Sequence, residues 1–290
     1  NTYLLAKDGI YISDYPRQLD YFPIPLAGTA DIMVNCDPGH YDVTHFTGDE
    51  LLMTLEVTCA SDGTCERPHD DPGYGLTKGF FAEPGFRETY FPPYLQDVRD
   101  KPVGDGCNCA TLLEQAVEGI NNGTKVDNSI NGKLYQPNVP VHTVKLHDVI
   151  ERTIVGVNDH PYHQHVYPFQ LTSGFCDPDL QPGCGDKDIG LDKAGNEVDV
   201  TQGGYFQDGD WHDNIRSEYQ LSIKVKYHPQ EILGKMMVHC HRLNHEDEGM
   251  MTQEKITHKP CQCKPLPMSG AETARYDAKI SKAVYEHGPQ

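Results

Sequence analysis

Leu221-Ser222-Ile223-Lys224-Val225-Lys226 alternates apolar and polar side chains without a break. In an extended chain successive side chains point to opposite faces, so this run predicts a strand with one face in a core. Val141 to Val157 alternates more loosely, through Val144 and Leu146 and then Ile150, Thr153 and Val155. Met236-Met237-Val238 predicts another short strand. Nearer the start, residues 3–12 and 21–57 read as short β segments. Ile32-Met33-Val34 and Leu51-Leu52-Met53-Thr54-Leu55-Glu56-Val57 are their apolar or alternating runs, with Gly, Pro and Asp between them. Leu112, Leu113, Ala116, Val117 and Ile120 recur at helical spacing and predict one amphipathic helix. A polar tail from Ala271 to Glu286 has moderate helical character. No repeat of fixed period and no low-complexity segment interrupts this pattern. Strands bounded by turns, with few helices, predict an all-β chain of antiparallel sandwiches.

Composition narrows the setting. The 27 glycines and 21 prolines suit a loop-rich β protein, and they crowd between Cys59 and Cys109, which predicts a long ordered insertion. No apolar run approaches the ~18 residues a membrane span needs, so no membrane span is expected. The chain begins Asn1-Thr2-Tyr3 without an initiator Met, which predicts a processed or truncated product. A net charge of −19 with no basic cluster excludes nucleic acid as a partner, because binding a polyanion needs a positive footprint.

The ten cysteines sit mostly in polar, Gly- and Pro-rich surroundings, as loop-stapling disulfides do in an oxidising compartment. Cys59 with Cys65 and Cys176 with Cys184 are the natural short-loop pairs; Cys107-Asn108-Cys109 and Cys261-Gln262-Cys263 read as disulfide partners rather than metal ligands. Connectivity beyond that stays open. If Cys240 serves a metal, nine cysteines remain, and one must stay free or pair outside the chain. Asn122-Gly123-Thr124 is a glycosylation sequon. Together these features predict a secreted glycoprotein.

The chemistry is concentrated in two stretches. One is His160-Pro161-Tyr162-His163-Gln164-His165. The other is His239-Cys240-His241-Arg242-Leu243-Asn244-His245, continued by Glu246-Asp247-Glu248-Gly249-Met250-Met251. On a strand His239 and His241 share a face and Cys240 takes the opposite one; His163 and His165 likewise share a face. One metal site would then receive Cys240 and another a set of imidazoles, with one residue of backbone between them. A thiolate, two imidazoles and a weak thioether form the ligand set of a blue-copper centre. Cys240, His245, Met250 and His160 supply it. A closed structural zinc site is the rival reading, but His-Cys-His on one strand aims its ligands at opposite faces and cannot close one tetrahedron.

His160-Pro-x-His163-x-His165 followed by His239-Cys240-His241-x3-His245-x4-Met250 resembles the signature pair of the multicopper oxidases, a family that includes laccases, ferroxidases and bilirubin oxidases. Lys7-Asp8-Gly9, Asn131-Gly132-Lys133-Leu134-Tyr135 and Gly209-Asp210-Trp211-His212-Asp213 are similar to family stretches too. The resemblance covers roughly residues 1–57 and 130–258. It implies cupredoxin-like Greek-key sandwiches: a partial middle domain over 1–110, a copper-binding C-terminal domain over 111–265, and a tail over 266–290. It implies copper as cofactor, with His160, Cys240, His245 and Met250 at the type 1 site. His163 would serve type 2 copper, and His165, His239 and His241 the type 3 pair. Electrons from a small reducing substrate would leave through Cys240 toward His239 and His241 and reduce O2 to water. Glu246 matches an acid that delivers protons there.

Several residues carry plainer expectations. Met251 reads as a core residue rather than the axial ligand, and Met236 and Met237 as strand packing. Asp210 and Asp213 read as turn residues, with orientation of a ligand imidazole as the alternative. His212 reads as a surface residue. The family's oxygen-reducing centre takes eight histidines, four of them from two His-x-His pairs in its first domain. The other histidines here (40, 45, 69, 142, 147, 212, 228, 258 and 287) form no such pair. A complete centre would therefore need a further N-terminal chain or domain carrying two His-x-His motifs. Without one, the chain would be a non-enzymatic copper protein.

Overall fold

The computed structural model describes residues 2–14, 16–34, 36–45, 50–59, 93–114, 128–172, 189–191, 197–199, 201–217 and 222–263. Cys65, Cys176, Cys184, the Asn122 sequon and the tail 271–286 lie outside them, so both short-loop cysteine pairings do too. Among the described residues nearly all regular secondary structure is strand, as the alternation predicts.

The first sheet centres on β1 (Thr2–Lys7), which pairs antiparallel with β2 (Ile10–Tyr11), β3 (Arg17–Gln18) and β4 (Ala30–Val34). β5 (Gly39–Thr44) and β6 (Leu51–Val57) form a hairpin. The main body follows: β7 (Asn108–Glu114), β8 (Ser129–Ile130), β9 (Pro140–Lys145), β10 (Ile150–Val155), β11 (Tyr162–Gln164) and β12 (Phe169–Leu171). A small hairpin of β13 (Ile189–Leu191) and β14 (Glu197–Asp199) leads to β15 (Trp211–His212), β16 (Asn214–Ile215), β17 (Ser222–Tyr227), β18 (Gly234–Cys240) and β19 (Met251–Thr257). A single helical turn, α1 (Leu243–Asp247), joins β18 to β19. One sheet runs β15-β12-β17-β10-β7-β8 and the other β16-β11-β18-β19-β9.

Alternation decides which side chains fill the space between these sheets. On β17, Ile223, Val225 and Tyr227 are buried; on β18, Met236, Val238 and Cys240 are fully buried on one face. They share one core with Ile150, Ile154, Tyr162, Phe169, Met250 and Ile256. Leu4, Ile12 and Leu19 join the same core, so the first sheet packs onto the main body.

Arg152 also points inward from β10, with no solvent exposure. It hydrogen-bonds Glu254 on β19, Tyr162 on β11, Gln164 (3.0 Å) and Tyr227 (2.9 Å), and Tyr227 donates to Glu254 at 2.9 Å. The guanidinium thus ties the two sheets together next to Tyr162, the cross-strand partner of Cys240. Burial pushes the Glu254 carboxyl up, but Arg152, His142 and the Tyr227 hydroxyl together hold it below the ordinary value. Four hydrogen bonds from the two terminal nitrogens of Arg152 offset the cost of burying the pair, while its Nε is left without a partner among the described residues.

Leu112 and Leu113 lie on a strand rather than on the expected helix; residues 115–120 lie outside the described set. β7 is covered on both faces and flanked by β10 and β8, so Cys109, Ala110, Leu112 and Leu113 are all buried. A strand buried on both sides reads as a continuous apolar run, which fits a helical template equally well. Cys107 and Cys109, at the start of β7, form disulfides with Cys261 and Cys263, just beyond β19. Cys36 and Cys240 are the free cysteines among the described residues, in line with the count of nine.

Candidate metal centre

β11 and β18 lie side by side with Tyr162 opposite Cys240 and His163 opposite His239. The pleat therefore sends Cys240 into the core and His163 and His239 to the other face. Past the strand end, His241 N–H still bonds the Pro161 carbonyl at 2.9 Å, so His241 keeps the outward side with His239. α1 and the turn after it bring the chain back: Met250 N–H bonds the His245 carbonyl at 2.9 Å, and Cys240 N–H bonds the Met250 carbonyl at 3.1 Å. This tight return seats His245 and Met250 beside Cys240. His160 arrives from the loop before β11.

On the inner side, His160 Nδ1 lies 3.1 Å from His245 Nδ1, and Cys240 Sγ lies 3.8 Å and 3.9 Å from those two nitrogens. Met250 and Cys240 have no solvent exposure, and both imidazoles are buried. With metal–nitrogen bonds of about 2.0–2.1 Å and metal–sulfur bonds of about 2.3 Å, tetrahedral ligand atoms stand about 3.3 and 3.6 Å apart. The separations fit one small metal ion. Burial and the neighbouring His245 push His160 down to about 4, and burial and Arg242 push His245 down. Both rings are thus neutral with lone pairs available. Burial pushes the Cys240 thiol up to about 11, so a metal must displace its proton to bind.

On the outer side, the His163 ring sits 4.8 Å from His165, 5.1 Å from His239 and 4.7 Å from His241, centre to centre. His165 Nε2 lies 3.0 Å from His239 Nε2. The rear nitrogens are held: His163 Nδ1 donates to the Asp213 carbonyl at 2.9 Å. His239 Nδ1 lies 3.1 Å from both the Cys240 carbonyl and Glu246 Oε2. Fixing Nδ1 in this way leaves Nε2 facing the cluster, the usual arrangement for a metal-binding imidazole. Burial and the clustered rings push His239 down to about 4.

A family model for multicopper oxidases matches residues 111–259. The chain belongs to the multicopper oxidases. Copper is therefore the metal these His and Cys groups imply. Three solved structures show the same fold. They are a laccase from Pediococcus acidilactici Pa5930 (18% identity, 88% of this chain and 45% of that one, TM-score 0.52), the McoA multicopper oxidase from the hyperthermophile Aquifex aeolicus (16%, 88% and 49%, 0.53), and a multi-copper oxidase from Pseudomonas thermotolerans (16%, 88% and 49%, 0.54). The sandwiches are thus cupredoxin-like, and the chain spans about half the length of these structures.

Within this multicopper oxidase chain the structure brings all nine expected site residues to the same end of β11 and β18. Glu246 lies on the imidazole side of the strands, beside His239. It follows His245 in sequence yet reaches across α1 to His239, and burial and Asp247 push its carboxyl up. Several plainer expectations need correction. His212 is buried, not on the surface, stacked on Phe169 and tilted against Phe206. Asp210 is fully buried, held by Lys7 at 2.5 Å and Arg17 at 2.9 Å, so it is an ion-pair anchor rather than a plain turn residue. Asp213 orients His163, but through its backbone carbonyl; its carboxylate stands at 3.6 Å. Asp8, whose carboxylate meets this loop, carried no role in the sequence reading. The only signal was the resemblance of Lys7-Asp8-Gly9 and Gly209–Asp213 to family stretches. Met236 is fully buried in the core, as expected of a packing residue, whereas Met237 and Met251 are only half-buried, so Met251 is not the core residue expected.

Proposed function

We propose that this chain is the copper-holding C-terminal part of an oxidase that couples one-electron oxidation of a reducing substrate to reduction of O2 to water. His160, Cys240, His245 and Met250 would hold a type 1 copper. His163 would hold type 2 copper, and His165, His239 and His241 half of a type 3 pair. Bound copper would supply the one-electron acceptor and the place where O2 is reduced. The observation that carries this reading is that a cysteine thiol and four imidazoles separate onto opposite faces of β11 and β18, one residue apart.

The chain's own groups make a short path for an electron. Cys240 joins His239 and His241 through single peptide bonds, and the Cys240 carbonyl also accepts from His239 Nδ1. Glu246 holds the rear of His239, and its raised pKa suits a group that carries a proton toward the imidazole face. The donor is a phenol, a tetrapyrrole or a low-valent metal ion. Because His165 is exposed and His163 and His241 half-buried, the imidazole face is open at its outer edge, where an N-terminal chain or domain with two His-x-His pairs would complete it. Secretion or another oxidising compartment agrees with the two disulfides.

A second reading is an electron carrier or copper-binding component with type 1 copper alone, for which the buried His160, Cys240 and His245 group with Met250 suffices. Copper analysis separates the two. About four coppers per assembly with a companion polypeptide supports the oxidase, and about one supports the carrier. Cys240→Ser must abolish the blue thiolate-to-copper band; if the colour survives, the type 1 assignment is wrong.

A further inference from the structure

Two sequence motifs that the metal ligands do not use, Lys7-Asp8-Gly9 and Gly209–Asp213, interlock in space. Lys7 pairs with Asp210. Asp8 and Gly9 form the two-residue loop between β1 and β2, closed by the Lys7–Ile10 pair, and both have positive φ (51° and 76°). That is the tight hairpin turn for which Asp-Gly is suited. It aims the Asp8 carboxylate away from β1 and into the loop before β16.

There the carboxylate is held from two sides. Oδ1 accepts Thr29 N–H at 3.1 Å. Oδ2 accepts Asp213 N–H at 3.2 Å and Asn214 N–H at 3.4 Å. The Asp8 side chain is only 6% exposed. The carbonyl of Asp213 in turn accepts both Gln164 N–H and His163 Nδ1–H, each at 2.9 Å. One carboxylate outside the matched family region thus fixes the peptide whose carbonyl fixes the imidazole.

We propose that Asp8 is a positioning residue for His163. By pinning the Asp213 and Asn214 amides, it keeps the Asp213 carbonyl in line with Nδ1, so that Nε2 is presented to a metal. This role deepens the reading of the imidazole face as a metal site and stands on it. Loss of the pin frees the loop, and once the Asp213 carbonyl no longer lines up with Nδ1 the ring is free to turn and the Nε2–H form becomes populated. Outer partners of metal-bound imidazoles typically change metal affinity about 10- to 100-fold.

The test uses the full chain with Asp8→Asn, which keeps the shape but presents an amide where N–H groups converge, and Asp8→Ala. Asp210→Asn is the control, because it loosens the neighbouring ion pairs without touching the Asp213 and Asn214 amides. The first readout is the His163 ring nitrogen pattern by 15N NMR in metal-free protein. The second is Zn(II) affinity at the imidazole face, titrated after the Cys240 site is filled. Asp8→Asn is expected to convert His163 from the single Nδ1–H form to a mixture and to weaken Zn(II) binding about tenfold. Asp210→Asn should lower the melting temperature and leave the His163 pattern alone.

An unchanged His163 pattern in Asp8→Asn overturns the proposal, and so does an equal change in Asp210→Asn. If Asp8→Ala fails to fold, the isosteric Asp8→Asn decides. Failure of wild type to bind metal at this face counts against the metal-site reading instead, while the nitrogen pattern still judges Asp8.

Discussion

The two disulfides between Cys107-Asn108-Cys109 and Cys261-Gln262-Cys263 close overlapping loops, and their removal should be strongly non-additive. Each spans 154 residues. In the chain-entropy account, closing a loop of that size restricts the unfolded chain by about 5 kcal/mol. Once either bond is in place, however, the other closes only the small ring of residues 107–109 and 261–263, for which the same relation gives about 2 kcal/mol. Replacing one cysteine pair by alanines should thus cost about 2 kcal/mol, and replacing both about 7 kcal/mol. The double-mutant cycle should show a coupling of about 3 kcal/mol; packing losses at the buried Cys107 and Cys109 add independently and drop out. Urea unfolding followed through Trp211, the only tryptophan and itself buried, supplies the four free energies. Strict additivity would refute the reasoning, since it would mean that the bonds act through local native contacts and not through the shared long loop.

Three further outcomes follow from the geometry. Glu254→Ala should cost about 3–5 kcal/mol, because it strands the buried Arg152 guanidinium. The pair Arg152→Met with Glu254→Leu should recover most of that loss in the same urea assay. Metal-free protein should weaken on acidification: His160 and His239, held at about 4 against an ordinary 6.5, stay neutral when folded but take protons when unfolded. Their contribution is present above pH 6.5 and is lost as pH falls toward 4, by on the order of 3 kcal/mol for His160. Asp8, raised from 3.8 to about 6 by burial and Asp213, works in the opposite direction from about pH 6 downward, across most of that range, but is outnumbered. A urea midpoint that stays flat between pH 7 and 4.5 would contradict the burial of these rings. Met250→Leu should leave copper bound and raise its reduction potential, read by redox titration of the blue band; an unchanged potential would remove Met250 from the ligand set.

The sequence by itself determined the separation of the two metal faces. Strand periodicity is a local property, and His239-Cys240-His241 cannot lie on a strand without sending sulfur one way and both imidazoles the other. It also determined the return of His245 and Met250, because only a few residues separate them from Cys240. β17 and β18 were legible for the same reason: each sets its buried apolar residues on one face, so the alternation is written in residue type although Ser222, Lys226 and His239 on the opposite faces are buried too.

What depends on partners distant in sequence was left to the tertiary structure. β7 looked helical because its environment, strands on both sides and core on both faces, erases the alternation. Asp210 and His212 looked like turn and surface residues because their burial is created by Lys7, Arg17, Phe169 and Phe206, three of which are roughly 40 to 200 positions away. Glu246 follows His245 in sequence, but the curl of α1 delivers it to His239. Asp8 gains its place at the back of His163 only when the first sheet docks on the main body. Hydrogen-bond and ion-pair partners are chosen by proximity in space, and a chain that packs two sheets and a third decides that proximity only when it folds.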